Sequence, residues 1–335
     1  MMNSFPKSKS AQICIVIYLF LFQLYANCFA ETVIFKEGVE NTVSGDAFQG
    51  TEDTYISGLV ISSMANESDQ NFGKREELFL GRNVRFGFFG PRRVLIRYDL
   101  SEFSRHYLHI NSITFRFYPK SVYFYGNTSC QFNVYQLTES NGNWIEGTGV
   151  SAEYGDPPDS GMTTWNQKIQ EEYNWAGEIG ASTPGTDYLD APIATNTFTK
   201  STGTGLENPF DITIQGQSAQ DLIEKWTTGG SNGLTLISND DTYHSDSQWI
   251  RFWSSDAEDA LLRPELIIDY IPIEPGDIDA NGTVELEDAI NSLQIIAGFT
   301  PASDIHIQAD VNGDSSIGIA ETIYIMQTVA GTIAP

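Results

Sequence analysis

The sequence predicts a mainly β protein: a β-sandwich followed by a small all-α module of two loop-helix half-motifs. Three observations carry this reading. From Thr32 to Tyr270 the chain is a series of short runs rich in β-branched and aromatic residues, separated by Gly, Asn, Asp and Pro. No alternation of strands with long helical segments occurs there, which excludes a wound α/β sheet. At Ile271 to Gly276 (IPIEPG) the composition changes, and beyond it a polar loop followed by an amphipathic helix occurs twice. These features set domains at 1–30 for a signal peptide, 31–272 for the sandwich and 273–335 for the C-terminal module.

Lys7 and Lys9 precede the apolar run ICIVIYLFLFQL, and Cys28 and Ala30 are small enough for a cleavage site. The run is shorter than the ~20 residues a membrane span needs. The expectation is export, a mature chain from Glu31, and a secreted or cell-surface protein without a membrane anchor. Of the three cysteines only Cys130 then remains, so no internal disulfide is available and Cys130 reads as a small buried apolar residue.

The strand candidates are TVIFKE, DTYISG, ELFLGR, RVLIRYDL, SITFRFYP, QFNVYQL, FDITI, GLTLIS, QWIRFW and ELIIDYI. RVLIRYDL and SITFRFYP read as half-buried, with Arg97, Tyr98 and Arg116 on a polar face. One helix interrupts the series, with Ala219, Leu222, Ile223 and Trp226 on one side and Gly229 and Gly230 at its end. Residues 146–209 form a long irregular insertion.

The chain carries 44 acidic and 18 basic residues, a formal charge of −26, the wrong sign for a nucleic-acid binder. Ten of the basic residues fall within 74–120 against four acids. Lys74, Arg75, Arg82, Arg85, Arg92, Arg93 and Arg97 are therefore candidates for a face that binds an acidic polysaccharide, since arginine's planar fork matches carboxylates. The competing expectation is that these cations pair with acids of the fold.

The C-terminal repeat has an offset of 33 residues: Asp277 matches Asp310, Val284 matches Ile317 and Gly298 matches Gly331. A 12-residue calcium loop offers oxygens at positions 1, 3, 5, 7, 9 and 12. In the first loop these are Asp277, Asp279, Asn281, the Thr283 carbonyl, Glu285 and Asp288. In the second they are Asp310, Asn312, Asp314, the Ser316 carbonyl, Gly318 through water, and Glu321. Gly282 stands at position 6 of the first loop, where Ser315 stands in the second. Nine acids and no Lys or Arg in 275–335 call for a cation, so two Ca2+ sites are expected. Ile290, Leu293 and Ile296 line one helix and Ile323, Met326 and Val329 the other. The two halves are expected to pack together through Val284, Ile290, Leu293, Ile317, Ile323 and Met326.

This repeat resembles the type I dockerin family over residues 276–332, which implies calcium binding and a cohesin-like protein partner. It departs from the family at Ser315, at Leu286-Glu287 and Ile319-Ala320 in place of a Ser-Thr pair, and in lacking basic residues on its helices. DTYISG, NFGKREELFLGR, RVLIRYDLS, SITFRFY, NWIEG, TTWN, FDIT, NGLTL and FWSSDAEDALLRPELIIDY, in this order over about 50–272, resemble the DNRLRE domain family, grouped with family 96 carbohydrate-binding modules. That resemblance implies a jelly-roll-like sandwich that binds glycans, often acidic ones.

His106, His109, His244 and His306 form no paired metal motif, and no nucleophile elbow or phosphate loop occurs. The tryptophans Trp144, Trp165, Trp175, Trp226, Trp249 and Trp253 are expected mostly in the core. The leading reading is a non-catalytic glycan-binding protein supporting polysaccharide degradation or surface attachment. An exposed aromatic or basic face favours it. A deep cleft with two close carboxylates favours a polysaccharide hydrolase or lyase, and a featureless surface a structural cell-surface protein.

Overall fold

The computed structural model describes residues 30–62, 65–85, 88–104, 106–124, 128–150, 160–200, 203–229, 232–239 and 248–333. The signal segment, Gly230 and His244 lie outside the described residues, as does the side chain of Arg85. The protein is mainly β. It separates into two compact units, the larger made of Thr32–Ser104 and Ile110–Asp269, the smaller including Tyr270–Pro335.

Among the described residues the chain forms fourteen strands: β1 Glu31–Lys36, β2 Thr51–Ser57, β3 Val60–Ser62, β4 Ala65–Asn66, β5 Glu77–Arg85, β6 Phe88–Tyr98, β7 Tyr107–Phe117, β8 Pro119–Phe124, β9 Ser129–Gln136, β10 Ala194–Thr199, β11 Phe210–Gln215, β12 Leu234–Ser238, β13 Gln248–Trp253 and β14 Glu265–Pro272. One sheet runs β1-β14-β7-β11; a second runs β10-β9-β12-β6-β5-β13-β8, with β2 also paired to β6. All ten runs read as strands are strands. β3, β4, β8 and β10 add to them. β10 escapes the pattern because ATNTFT buries only Phe198, and β8 because it opens on a proline.

The two sheets meet through aromatic rings. Phe117 of β7 lies 5.2 Å from Phe252 of β13, and Phe210 of β11 lies 5.6 Å from Phe132 of β9 and 5.2 Å from Phe198 of β10. Helix α1, Gln217–Thr227, buries Ala219, Leu222, Ile223 and Trp226, the face its periodicity marks. Trp226 packs against Tyr98 of β6 and Phe115 of β7. Tyr98 is thus a core residue, not part of a polar face.

The insertion is an organised cover, not a bare loop. Trp165, Trp175, Ala181 and Tyr188 form a second apolar cluster with Ile56, Leu95, Leu137, Trp144 and Ile237. The buried Asp187 carboxylate ties it down, accepting the Asn141 side-chain amide at 2.8 Å and the backbone N–H groups of Gly177 at 2.8 Å and Thr183 at 2.8 Å. Cys130 is a buried thiol beside the Ser238 hydroxyl.

In the smaller unit, α2 (Leu286–Ile296) and α3 (Ile319–Val329) follow the two polar loops. Its core is Ile273, Ile278, Ala289, Ala309, Ile317 and Ile325, with Val284, Ile295 and Tyr324 partly buried against it. This corrects the expected helix interface. Ile290, Leu293, Ile323 and Met326 are about half exposed, and Ile296 and Val329 with them. Of the expected interface, Ile317 belongs to the core and Val284 packs against it, and small polar groups add a further contact between the halves: the Ser292 hydroxyl lies 2.6 Å from that of Thr322 and 2.8 Å from the Gly318 carbonyl.

Gly81 of β5 lies where β5 and β13 approach most closely. Its φ is +111°, and a Cβ there would stand 2.3 Å from the backbone oxygen of Gln248. Gly81→Ala is expected to destabilise the larger unit by about 2 kcal/mol or more. A urea melt followed by tryptophan fluorescence checks this, and an unchanged midpoint overturns it.

Candidate functional site

The basic segment does not form the expected face. Arg82, Arg92 and Arg93 are buried. Arg92 pairs with Glu67 at 2.5 Å and lies over the Phe79 ring. Arg93 donates to the carbonyls of Gly180 at 2.6 Å and Ala181 at 3.0 Å and lies over Trp165. Arg97 pairs with Glu52, donates to the Gly142 carbonyl at 2.8 Å and lies over Trp144. Lys74 bridges Glu146 and Asp256, each at 3.0 Å. Arg116 sits in the other sheet, where its guanidinium holds both oxygens of Asp211. Three of these cations go into the fold and not onto a face, and Lys74, Arg92, Arg93, Arg97 and Arg116 each have a partner within it.

Beside Lys74 lies a buried acidic pair. Glu146 accepts the Asp53 N–H, and burial pushes its carboxyl up to about 7 against that hydrogen bond and the Lys74 ammonium. Asp53 is fully buried; burial, then the neighbouring Glu146, raises it well above the carboxylate range. One of its oxygens accepts the Ser255 N–H at 2.8 Å, and the other is buried with no hydrogen-bond partner among the described residues.

A different set of side chains forms a solvent-facing site. Along β13, Gln248, Ile250 and Phe252 are buried, while Trp249, Arg251 and Trp253 are half-exposed. Strand register puts Trp249 opposite Tyr123 of β8, and Arg251 opposite Ser121 of β8 and Phe79 of β5. Tyr123, 46% exposed, stacks on Trp249 with 5.8 Å between centroids. The Arg251 guanidinium lies 4.9 Å from the Trp249 ring, and the Lys120 ammonium 4.0 Å from that of Trp253. One buried carboxylate, Glu77, serves three cations: Arg75 at 3.3 Å, Lys120 at 3.4 Å and Arg251 at 3.5 Å. Three positive charges on one negative charge leave an excess of two beside three aromatic rings. Of the basic residues singled out in the sequence only Arg75 belongs to it; Trp249 and Trp253, from the set of tryptophans expected mostly in the core, belong to it as well. The signal that finds it is W-x-R-x-W in QWIRFW, aromatic and cation on one side of a strand at period two.

In the smaller unit, a carboxylate oxygen from each of Asp277, Asp279 and Asp288 lies within 4.8 Å of the others. That separation is twice a calcium–oxygen distance of about 2.4 Å, so the triad could hold a metal ion. Burial pushes the Asp277 carboxyl up to about 6 and raises that of Asp288. Asp277 accepts the N–H groups of Asn281 at 3.1 Å and Gly282 at 2.8 Å. Asp288 accepts those of Ile278 at 2.8 Å and Glu285 at 2.9 Å. Asn281 and Glu285 are joined side chain to side chain at 3.3 Å, and the Thr283 hydroxyl donates to Asn281.

The second loop repeats this scaffold. Asp310 accepts the Ser315 N–H at 2.6 Å, and Glu321, fully buried, accepts those of Val311 at 3.2 Å and Gly318 at 2.6 Å. Three carboxylates do not converge there as they do in the first loop, among the described residues. Asp314 is turned onto its own loop: it accepts the Ser316 N–H at 2.9 Å and the Asn312 amide at 2.9 Å. Both loops are left-handed at positions 4 and 6, as Ala280 (φ +53°) and Gly282 (+90°) in one and Gly313 (+77°) and Ser315 (+63°) in the other. Each loop thus has one glycine and one residue with a side chain at these turns.

No family model matches the sequence, and no curated protein matches it. Among the described residues no helix is long and apolar enough to cross a membrane.

Ala280→Gly and Ser315→Gly are each expected to stabilise the smaller unit by about 1 kcal/mol, because a left-handed residue with a Cβ is strained by about that amount. Helical circular dichroism during thermal unfolding reads the change; a lowered midpoint in both variants overturns the reading.

Proposed function

We propose that the protein is a secreted, non-catalytic glycan-binding module of the DNRLRE kind, taking acidic polysaccharide on the β5–β13–β8 face, joined to a dockerin-like unit that holds calcium at its two loops. The larger unit is then a jelly-roll-like sandwich. The observation that carries the glycan reading is the Glu77 hub: two surplus cations lie beside Trp249, Trp253 and Tyr123. Sugar rings stack on aromatic faces, and uronate carboxylates meet fixed cations. A local positive site also overrides the repulsion that a chain of charge −26 exerts on a polyanion. The buried arginines of β6 serve the fold and are poor test positions.

Affinity electrophoresis through polygalacturonate or alginate at low salt tests this. Retention is expected, weakening as salt rises. Lys120→Gln and Tyr123→Ala, both at the surface, should each weaken it about tenfold, or about 1.4 kcal/mol, without shifting the thermal midpoint. Wild-type retention in both variants, or none for either polymer in the parent protein, sinks the proposal.

The Asp277–Asp279–Asp288 triad supports the calcium reading, together with the matched scaffold of the second loop. Protons compete with the cation. A carboxyl raised to about 6 is protonated in the folded state at pH values where it is charged in the unfolded chain. Without a cation, stability therefore falls as pH rises through about 6, and calcium offsets that loss. Calorimetry is expected to show two sites, with affinity dropping below pH ~6. Asp277→Ala should remove the first site and Asp310→Ala the second. Helix content that ignores both chelator and calcium contradicts it.

The half-exposed stripes Leu286–Ile290–Leu293 and Ile319–Ile323–Met326 occupy matched positions on the two helices. They support a protein partner for this unit, of the cohesin-like kind that the dockerin resemblance implies.

A further inference from the structure

The larger unit also has a cleft of about 570 Å3, away from the residues of the Glu77 hub. It opens where β2 begins and β6 ends. Gly50 and Glu52 come from one strand, Arg97 and Asp99 from the end of the other, and the segment 142–145 completes the wall. Glu52 and Arg97 are register partners, so their ion pair is built into the β2–β6 ladder. Of its apolar neighbours Ile145 is exposed, while Trp144, Ile169 and Trp226 lie buried behind the wall.

The two kinds of surface are those a pyranose ring presents: an apolar C–H face and a rim of hydroxyls. Carboxylates accept from adjacent hydroxyls, while the Arg97 guanidinium and the Asn143 amide can donate. Trp226 adds a directional element. It is fully buried, and its indole N–H has no hydrogen-bond partner among the described residues. Such a donor is destabilising until an acceptor oxygen meets it. The charges set the class of ligand. Glu52 and Asp99 outnumber Arg97, so the cleft disfavours an anion, in contrast to the Glu77 face. Its volume falls within the range of small-ligand pockets.

We propose that this cleft binds one neutral pyranose unit of a glycan, as a second site separate from the acidic-polysaccharide face. The inference rests on reading the larger unit as glycan-binding and extends it to a second sugar class. A chain of mixed charged and neutral units could then be held at two places, with the apparent affinity of both sites combined.

Saturation-transfer NMR on the full mature chain tests this with methyl glycosides of glucose, galactose, mannose and xylose, and with methyl glucuronide. At least one neutral glycoside is expected to receive saturation on its C–H protons, and the glucuronide none at this site. Two variants locate the signal. Asp99→Ala removes an exposed acceptor, and Asn143→Trp fills the mouth while leaving the Glu52–Arg97 pair intact. Each should cut the neutral-glycoside signal at least fivefold while retention on polygalacturonate or alginate is unchanged. No transfer to any neutral glycoside, or full transfer in both variants, overturns the cleft as a sugar site. If polyanion retention persists in that case, the proposed function stands without it. If neutral binding is lost only in the variants but no polyanion is retained, the cleft stands and the charged face falls.

Discussion

The larger unit depends on how β6 disposes of its cations. A strand in the middle of an eight-stranded sheet carries Arg92, Arg93 and Arg97, and each would be costly to bury alone. Arg93 and Arg97 are each given two things, oxygen acceptors and an aromatic ring against the guanidinium; Arg92 has the ring and one carboxylate, while its Nε and Nη1 have no hydrogen-bond partner among the described residues. Glu67 and Phe79 serve Arg92, the 180–182 carbonyl cluster and Trp165 serve Arg93, and Glu52 and Trp144 serve Arg97. Because the acceptors come from β2, the segment just after β4, the insertion and Gly142, pairing the arginines also fixes where those segments lie. The insertion needs no disulfide to hold it; Arg93 reaches into it from the sheet and Asp187 ties it internally.

That arrangement explains what could and could not be read from the sequence. Alternation in RVLIRYDL and SITFRFYP marks strands correctly, because alternation depends only on the backbone. It misplaces Tyr98 and the arginines, because both sides of β6 are covered: one by the second sheet, the other by the insertion and its neighbours, with Gly180 and Ala181 lying 87 and 88 positions from Arg93 in sequence. A run of basic residues therefore signalled burial with partners, while the surface cations are drawn from three separate segments around Glu77. Only Arg75 and Lys120 of that hub lie in the basic stretch. Trp249, Arg251 and Trp253 needed their own period-two pattern to be noticed.

The smaller unit shows the opposite balance. Its loop residues follow from spacing alone, since carboxylates at positions 1 and 12 close each loop over backbone amides. Its helix packing does not. Periodicity identified apolar stripes on both helices, yet these stripes face out; Ala289 and Ile325 are the helix residues in the core, and Ser292 and Thr322 meet beside them. Small side chains let two short helices approach closely, and the hydroxyls bond to the Gly318 carbonyl at the start of α3. A periodic stripe says that a helix has an apolar partner. It does not say that the partner is the other helix.

The alternation of glycine between the two loops has a consequence for how the repeat is written. Ala280-Asn281-Gly282 and Gly313-Asp314-Ser315 trace the same pair of left-handed turns with the glycine at opposite ends. The symmetry of the unit is kept in its torsion angles and only partly in its letters. Compared letter by letter, the two copies look less alike here than they are. Compared turn by turn, they superimpose at the places where the chain reverses. The two halves have thus diverged in which residue bears the conformational strain while keeping the path of the chain, and that path is what aims the flanking carboxylates inward.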